Sequence, residues 1–371
     1  MADAYFCANS ILTMEHAYAI VMAGGIGSRF WPMSTASYPK QFHDILGTGQ
    51  SLLQQTVGRL DRICPSERVL IVTSDQYEDL VREQLPDLPE QNILCEPARR
   101  NTAPCLAYAV AKILHRDPEA VMVVTPSDSV VTKEDEYERF MREAMAAAQK
   151  GDRLLTLGIK PHRPDTGYGY IQYSEERLEE FDSVHKVKTF TEKPDSEHAQ
   201  MFLDSGDFLW NAGIFIWSAK SIEKAIKMHM PDLADAFFGS AAYDTDEEAR
   251  FIGQVYASCE TESIDYGIME KATNVYVLPA EFGWSDLGTW GSLYEQLDLD
   301  AQHNAVVGKK VLMYDSSGNM VRVSSEKTVA IQGLKDLIVV DTPERLLICR
   351  KEDEQMIKAF VNDIRIHFGE E

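Results

Sequence analysis

Three glycines, Gly24, Gly25 and Gly27, close an apolar run; Arg29 follows at once, and Lys40 comes next behind Pro39. Residues of these types hold polyphosphates. Glycine lets the backbone approach a ligand closely and turns its N–H groups inward as an anion nest. Arg29 and Lys40 add fixed positive charge. Ala23-Gly24-Gly25-Ile26-Gly27-Ser28-Arg29-Phe30-Trp31-Pro32 with Pro39-Lys40-Gln41-Phe42 therefore predicts a nucleoside triphosphate site with the phosphates under two cations. Two commoner phosphate loops are excluded. The frame from Gly25 reads Gly-Ile-Gly-Ser-Arg-Phe and lacks the third glycine of a dinucleotide fingerprint, and no G-x-x-x-x-G-K-[ST] occurs here. A strand–turn–helix corner explains the glycines alone, but not the Arg and the Pro-Lys-Gln beside them.

Other residues could serve the same chemistry. Asp128 follows a buried-looking strand and a Pro; Asp286 sits in Phe282-Gly283-Trp284-Ser285-Asp286-Leu287-Gly288-Thr289-Trp290. Magnesium takes a few carboxylates plus substrate phosphate oxygens, so two convergent aspartates suffice. Each taken alone reads as a turn or cap aspartate. Glu192-Lys193-Pro194 follows a strand, and a lysine before a fixed-φ proline can be aimed into a cleft. Asn211 lies among apolar neighbours, Gly167 in a Thr-Gly-Tyr-Gly turn, and Asp265 at a helix start, where it would also suit the helix dipole. Glu96, Arg100 and Asn101 belong to a Pro-bounded polar stretch that opens a helix. They offer both acceptors and donors, and the helix N-terminus could receive a ligand's acceptors or phosphate. Simple helix capping by Asn101 or Thr102 is the plainer reading.

These residues need a scaffold. Strands are expected at Tyr18–Met22, Arg68–Thr73, Asn92–Cys95, Ala120–Thr125 and Leu154–Gly158. Helices are expected from Ser51 to about Ile63, at Tyr77–Leu85, Thr102–His115 and Glu134–Lys150. Such alternation predicts a mostly parallel sheet covered on both faces, with ligands beyond the carboxyl ends of its strands. The middle is more mixed: short strands carry Tyr168–Ile171, Lys188–Pro194 and Ile214–Trp217, with helices at Ala219–Met230, Glu247–Ser258 and Ile264–Lys271. After about Ala301, short strands recur at Val306–Leu312, Met320–Val323, Thr328–Ile331, Leu337–Asp341 and Arg345–Cys349, before a helix at about Glu354–His367. Regular short strands suggest a small β domain or solenoid coils. The division expected is an N-terminal extension (1–16), a large α/β domain (17–300) and a β-rich domain (301–371).

The 371 residues carry a formal net charge of −23, which argues against a nucleic-acid or anionic-membrane partner. No apolar run approaches the ~20 residues of a membrane span, and the start lacks the pattern of a secretory signal. Six scattered cysteines form no C-x-x-C pair and read as reduced, mostly buried thiols in a cytoplasmic protein.

The glycine loop and the Pro-Lys-Gln-Phe stretch resemble the signature of the sugar-nucleotide pyrophosphorylases. Trp31-Pro32 and the Lys-Gln-Phe wording are similar to the mannose-1-phosphate guanylyltransferase branch, and the likeness runs from about Tyr18 to about Gln296. It implies a Rossmann-like nucleotidyltransferase domain followed by a small left-handed β-helix-like module for packing or oligomerisation, with a homodimer left open. Longer relatives carry an isomerase domain for which no room is expected here. The implied substrates are GTP and mannose 1-phosphate, the products GDP-mannose and pyrophosphate, and the cofactor Mg²⁺ on Asp128 and Asp286. Ala23, Gly24, Gly25, Gly27, Ser28, Arg29, Glu96, Arg100 and Asn101 would bind the nucleotide. Gly167, Glu192, Lys193, Asn211 and Asp265 would bind the sugar phosphate. Lys40 and Lys193 would neutralise the phosphates. One departure is plain: the family's Pro-Ala-Asp-His is Pro126-Ser127-Asp128-Ser129 here, so the aspartate is kept and the histidine lost. Another sugar 1-phosphate or triphosphate, or a non-catalytic nucleotide-sugar sensor, are the alternatives.

Overall fold

The computed structural model describes residues 15–323 and 327–369, so most of the expected N-terminal extension lies outside them. The strands in chain order are β1 (Ala17–Met22), β2 (Val69–Ser74), β3 (Ile93–Glu96), β4 (Val121–Pro126), β5 (Val130–Val131), β6 (Leu154–Ile159), β7 (Tyr170–Leu178), β8 (Phe181–Thr191), β9 (Phe208–Ser218), β10 (Val275–Ala280) and β11 (Trp284–Ser285). Six more are β12 (Ala305–Val307), β13 (Val311–Tyr314), β14 (Met320–Arg322), β15 (Val329–Gln332), β16 (Leu337–Asp341) and β17 (Leu346–Arg350). The chain forms two compact units. One comprises the described residues up to Gly24 with Thr56–Ser127 and Val131–Trp284; the other comprises Gly25–Gln55, Asp128–Val130 and everything from Ser285.

The first unit is built on a nine-stranded sheet of order β3-β2-β1-β4-β9-β6-β10-β8-β7. β1 pairs in parallel with β2 and β4, β2 with β3, and β6 with β10. β9 opposes β4, β6 and β7, and β8 opposes β7 and β10. Seven of the nine strands therefore share one direction, and β8 and β9 run against it: the mixed, mostly parallel sheet expected. Val69–Ser74 is buried at every position, as a strand covered on both faces requires. The helix Thr102–Arg116 is lined with buried alanines at 103, 107, 109 and 111, which let it lie close to its neighbours.

Three local expectations are corrected. The strands expected around residues 168–171 and 188–194 are the ends of a longer hairpin, β7–β8, paired from Tyr170↔Thr191 to Leu178↔Phe181 with three shifts of register between. Its middle carries Glu175, Glu176, Arg177, Asp182 and Lys186, so it lacks the apolar alternation that marks a half-buried strand. The helix expected over 264–271 is one π-type turn, Asp265–Met269. Val306–Leu312 is divided into β12 and β13 by the turn at Gly308-Lys309-Lys310.

In the second unit, β12, β14 and β16 pair in parallel, as do β13 and β15, so successive coils stack. Buried Asn304 and Asn319 hold the coil corners: Asn304 Nδ2 donates to Ser316 O (2.9 Å), and Asn319 Nδ2 to Asn304 Oδ1 (2.9 Å) and Leu334 O (3.0 Å). Each amide satisfies carbonyls that a tight corner would otherwise bury unpaired. The closing helix is Ile357–Phe368, preceded by a 3₁₀ turn at Lys351–Met356.

Among the described residues all five cysteines are free; Cys64 and Cys105 are buried and the other three partly so. No helix there is long and apolar enough to cross a membrane.

Candidate functional site

The second unit brings together the cationic loop and both candidate metal aspartates. Gly27 has φ +64°, a left-handed conformation that glycine tolerates, and opens the turn Ser28–Phe30. A Cβ on Gly27 would lie 2.5 Å from Lys40 Cβ, so glycine is also what lets the lysine stem pass. Gln41 Nε2 donates to Gly25 O (3.0 Å) and Ser34 Oγ to Ile26 O (2.6 Å), propping the loop from outside. Phe30 packs on Trp290 at 4.8 Å between ring centroids, and the Trp290 indole donates to Trp31 O. This anchors the chain directly after Arg29. Gly25 and Ser28 are exposed and Arg29 half-buried. Arg29 Nε is buried with no hydrogen-bond partner among the described residues, a donor that an anionic ligand would satisfy.

Lys40 is almost wholly buried, 3% exposed at its side chain, and its ammonium meets three acceptors. They are Asp286 O (2.8 Å), Leu287 O (3.0 Å) and Asp128 Oδ2 (2.8 Å). One charge thus ties Asp128 to the Asp286 loop although the two aspartates are far apart in sequence. Asp128 remains 37% exposed, open to a ligand. The Asp286 carboxylate is held by Gly288 N–H to Oδ1 (3.0 Å), and the next residue, Leu287, has φ +44°, an unusual backbone for leucine. Asp128 Oδ2 and the backbone carbonyl of Asp286 thus share one ammonium, and carboxylate oxygens of such residues are the hard donors that Mg²⁺ takes together with phosphate oxygens. A lysine expected to face phosphates directly is, in this geometry, saturated by protein acceptors.

The first unit holds two further groups. At the carboxyl edge of its parallel strands, Ala23 N donates to Val72 O and Thr73 Oγ1 to Ala23 O, fixing the start of the glycine loop. A Cβ on Gly24 would lie 3.5 Å from Oε2 of Glu96, the last residue of β3. Glu96 is buried, and burial pushes its carboxyl up to about 7, against a hydrogen bond from Tyr256 and the charge of Arg99. Asn101, at φ +66°, caps the Thr102–Arg116 helix through its own side chain, and Ala103 N–H donates to Glu262 O. The helix start is thus met by protein acceptors, with Asn101 Oδ1 engaged as the cap. Arg100 Nε is buried without a partner among the described residues.

Asn211 on β9 is the hub of the second group. Its Nδ2 donates to Asp265 Oδ1 (3.0 Å), and its Oδ1 accepts from Gly213 N (3.0 Å) and Thr156 Oγ1 (3.3 Å). Burial first, and the neighbouring Glu192 charge second, push the Asp265 carboxyl up to about 6. A Cβ on Gly169 would meet Glu192 Oε2 at 2.5 Å. Lys193 is exposed, pairs with Glu192, and has φ +44°, strain of the kind that gathers at ligand clamps. Gly167 lies in the adjoining turn, its N–H donating to Asp165 Oδ1 (2.8 Å). Sequence reading missed Gln41, Ser34, Thr156 and Tyr256 as supports. Only Gln41 stood within a quoted motif.

The mostly parallel sheet, with the glycine loop leaving the carboxyl end of β1, defines an α/β protein of the class that binds ligands at that edge. The nucleotidyl transferase family model matches residues 18–303, and the chain belongs to that family. The MannoseP isomerase/GMP-like β-helix domain matches residues 309–364. The mannose-1-phosphate guanylyltransferase of Escherichia coli K12 is 37% identical over 94% of this chain and 73% of its own length. The mannose-1-phosphate guanylyltransferase ManC of Salmonella typhimurium LT2 is 36% identical over 96% and 74%. The crystal structure of a mannose-1-phosphate geranyltransferase from Thermus thermophilus superposes with TM-score 0.83 at 30% identity, covering 94% of this chain and 99% of that one.

Proposed function

We propose that the chain transfers GMP from GTP to mannose 1-phosphate, releasing pyrophosphate and forming GDP-mannose. The observation that carries this reading is the convergence of Asp128 and the Asp286 loop on the Lys40 ammonium beside the glycine loop. The curated relatives named above carry the same activity in their names. The sugar phosphate is already an anionic nucleophile, so no general base is needed, and the work is positioning and charge neutralisation. Enzymes of this family use a divalent metal, here read as Mg²⁺ on Asp128 and Asp286, which when bound supplies charge for the phosphate oxygens. Ala23, Gly24, Gly25, Gly27, Ser28 and Arg29 would hold the triphosphate, and Glu96, Arg100 and Asn101 the base end. Gly167, Glu192, Asn211 and Asp265 would hold the sugar, and Lys193 its phosphate. Lys40 would act at one remove, by setting the aspartates. The domain reading is 17–300 for catalysis and 301–371 for packing or dimerisation, in a cytoplasmic enzyme.

The test is pyrophosphate release with GTP, Mg²⁺ and mannose 1-phosphate, beside Asp128→Asn and Asp286→Asn. Turnover in the parent and a fall of at least about a hundredfold in both variants are expected. Turnover only with another triphosphate would discard the base assignment, and GDP-mannose binding without any turnover would favour a sensor.

A further inference from the structure

We propose that Tyr256 is a positioning residue for base recognition: its hydroxyl fixes Glu96 so that Oε2 meets the N1–H and N2 amino donors of guanine. The proposal rests on the guanylyltransferase reading. Tyr256 lies on the helix Glu248–Ser258, outside every motif, is 1% exposed, and donates to Glu96 Oε1 at 2.8 Å. With Oε1 so engaged, Oε2 is the oxygen beside Gly24, where the glycine loop leaves β1. β1, β2 and β3 run in parallel, so Gly24 and Glu96 share the carboxyl edge at which such sheets bind ligands.

The chemistry singles out guanine. A carboxylate only accepts, and guanine offers two adjacent donors at N1 and N2. Adenine presents an acceptor and a C–H there. Inosine keeps N1–H and lacks the amino group. Recognition therefore requires Glu96 ionised as well as oriented, and the groups around it act on both. Tyr256 donates, and Arg99, whose Nη2 donates to Tyr77 OH (2.9 Å), favours the anion. The Cys105 and Cys259 thiols lie near enough to feel the Glu96 charge, and Arg100 acts on Cys259. Removing the Tyr256 donor weakens the anion and frees the carboxyl to turn.

The test compares parent and Tyr256→Phe in pyrophosphate release with GTP and with ITP across pH 5.5–9. The parent is expected to lose kcat/KM for GTP as pH falls through about 7, the value to which Glu96 is raised. In Y256F the acid limb moves to higher pH. KM for GTP at pH 7 rises about tenfold with kcat little changed, as loss of one hydrogen bond to a charged group implies. The preference for GTP over ITP shrinks. A variant that is merely less heat-stable, with the pH profile and the GTP:ITP ratio of the parent, overturns the proposal. If Y256F does not fold, Tyr256→His takes its place, and an unchanged GTP:ITP ratio there overturns the proposal equally. A parent inactive with GTP would instead reject the functional reading itself.

Discussion

Lys40 Nζ lies 2.8 Å from Asp128 Oδ2 and 2.8 Å from the carbonyl of Asp286, so one buried ammonium gathers the two carboxylate-bearing segments. Replacing Lys40 by methionine keeps the apolar stem and deletes the donor. The Asp286 and Leu287 carbonyls, the second of them buried, then lose this donor, which costs about 1–3 kcal/mol. Pyrophosphate release should fall at least about a hundredfold, and Mg²⁺ should be needed at higher concentration. Parent-like activity in K40M would show that the aspartates do not depend on this tie.

Gly27→Ala probes the same tie from the other side. The new methyl would occupy space 2.5 Å from Lys40 Cβ at a backbone φ of +64°. Both the strain and the clash oppose the native loop, and a loss of about 1–2 kcal/mol is expected in urea unfolding. Since the clash displaces Lys40, G27A and K40M should combine less than additively in activity. Full additivity would argue that the two act separately.

Legibility in the sequence followed locality. The apolar run Tyr18–Met22 emptying into glycines placed a strand and a loop correctly, because period and glycine chemistry are local. The helix expected from Ser51 does start there, with Ser51 and Gln54 as a reciprocal cap, Gln54 N to Ser51 Oγ (3.2 Å) and Ser51 N to Gln54 Oε1 (3.0 Å), though it stops at Leu60. The Lys40 network was not legible, since it closes between segments far apart in the chain. Nor was the role of Tyr256, which stands in an ordinary amphipathic helix. The β7–β8 hairpin escaped because charges crowd its middle. The Asn304–Asn319 corner escaped because two asparagines fifteen residues apart announce nothing until coils stack.

A separate polar network should govern stability alone. Lys112 donates to both oxygens of Glu248 (2.7 Å each), Tyr108 donates to Glu248 Oε1 (2.7 Å), and Asp244 lies 3.1 Å from the ammonium. Lys112 is 4% and Glu248 11% exposed at the side chain. With Asp244 still beside the ammonium, Glu248→Ala leaves Lys112 partly compensated and takes the acceptor from the Tyr108 hydroxyl, so a loss of about 1–3 kcal/mol is expected. Calorimetry or urea unfolding reads this directly. Turnover per folded molecule should stay near the parent value, and a large fall in kcat at low temperature would contradict the separation.

Asp265 should trade stability for binding. Its folded carboxyl is raised to about 6 from an ordinary 3.8, by burial and by Glu192. The native state therefore holds the proton more tightly than the unfolded chain between those values, and stability declines as pH rises from about 4 to about 6. Below that window both states are protonated and the penalty is absent; above it the full penalty applies, of order 3 kcal/mol at most. Asp265→Asn keeps the volume and an oxygen for the Asn211 Nδ2 donor but carries no charge. The variant should match the parent near pH 3.5 and exceed it in urea midpoint at pH 8, while its KM for mannose 1-phosphate rises. A midpoint difference that does not change between the two pH values would show that the Asp265 proton is not linked to folding. Higher stability with unaltered KM would remove Asp265 from the sugar site while leaving the linkage intact.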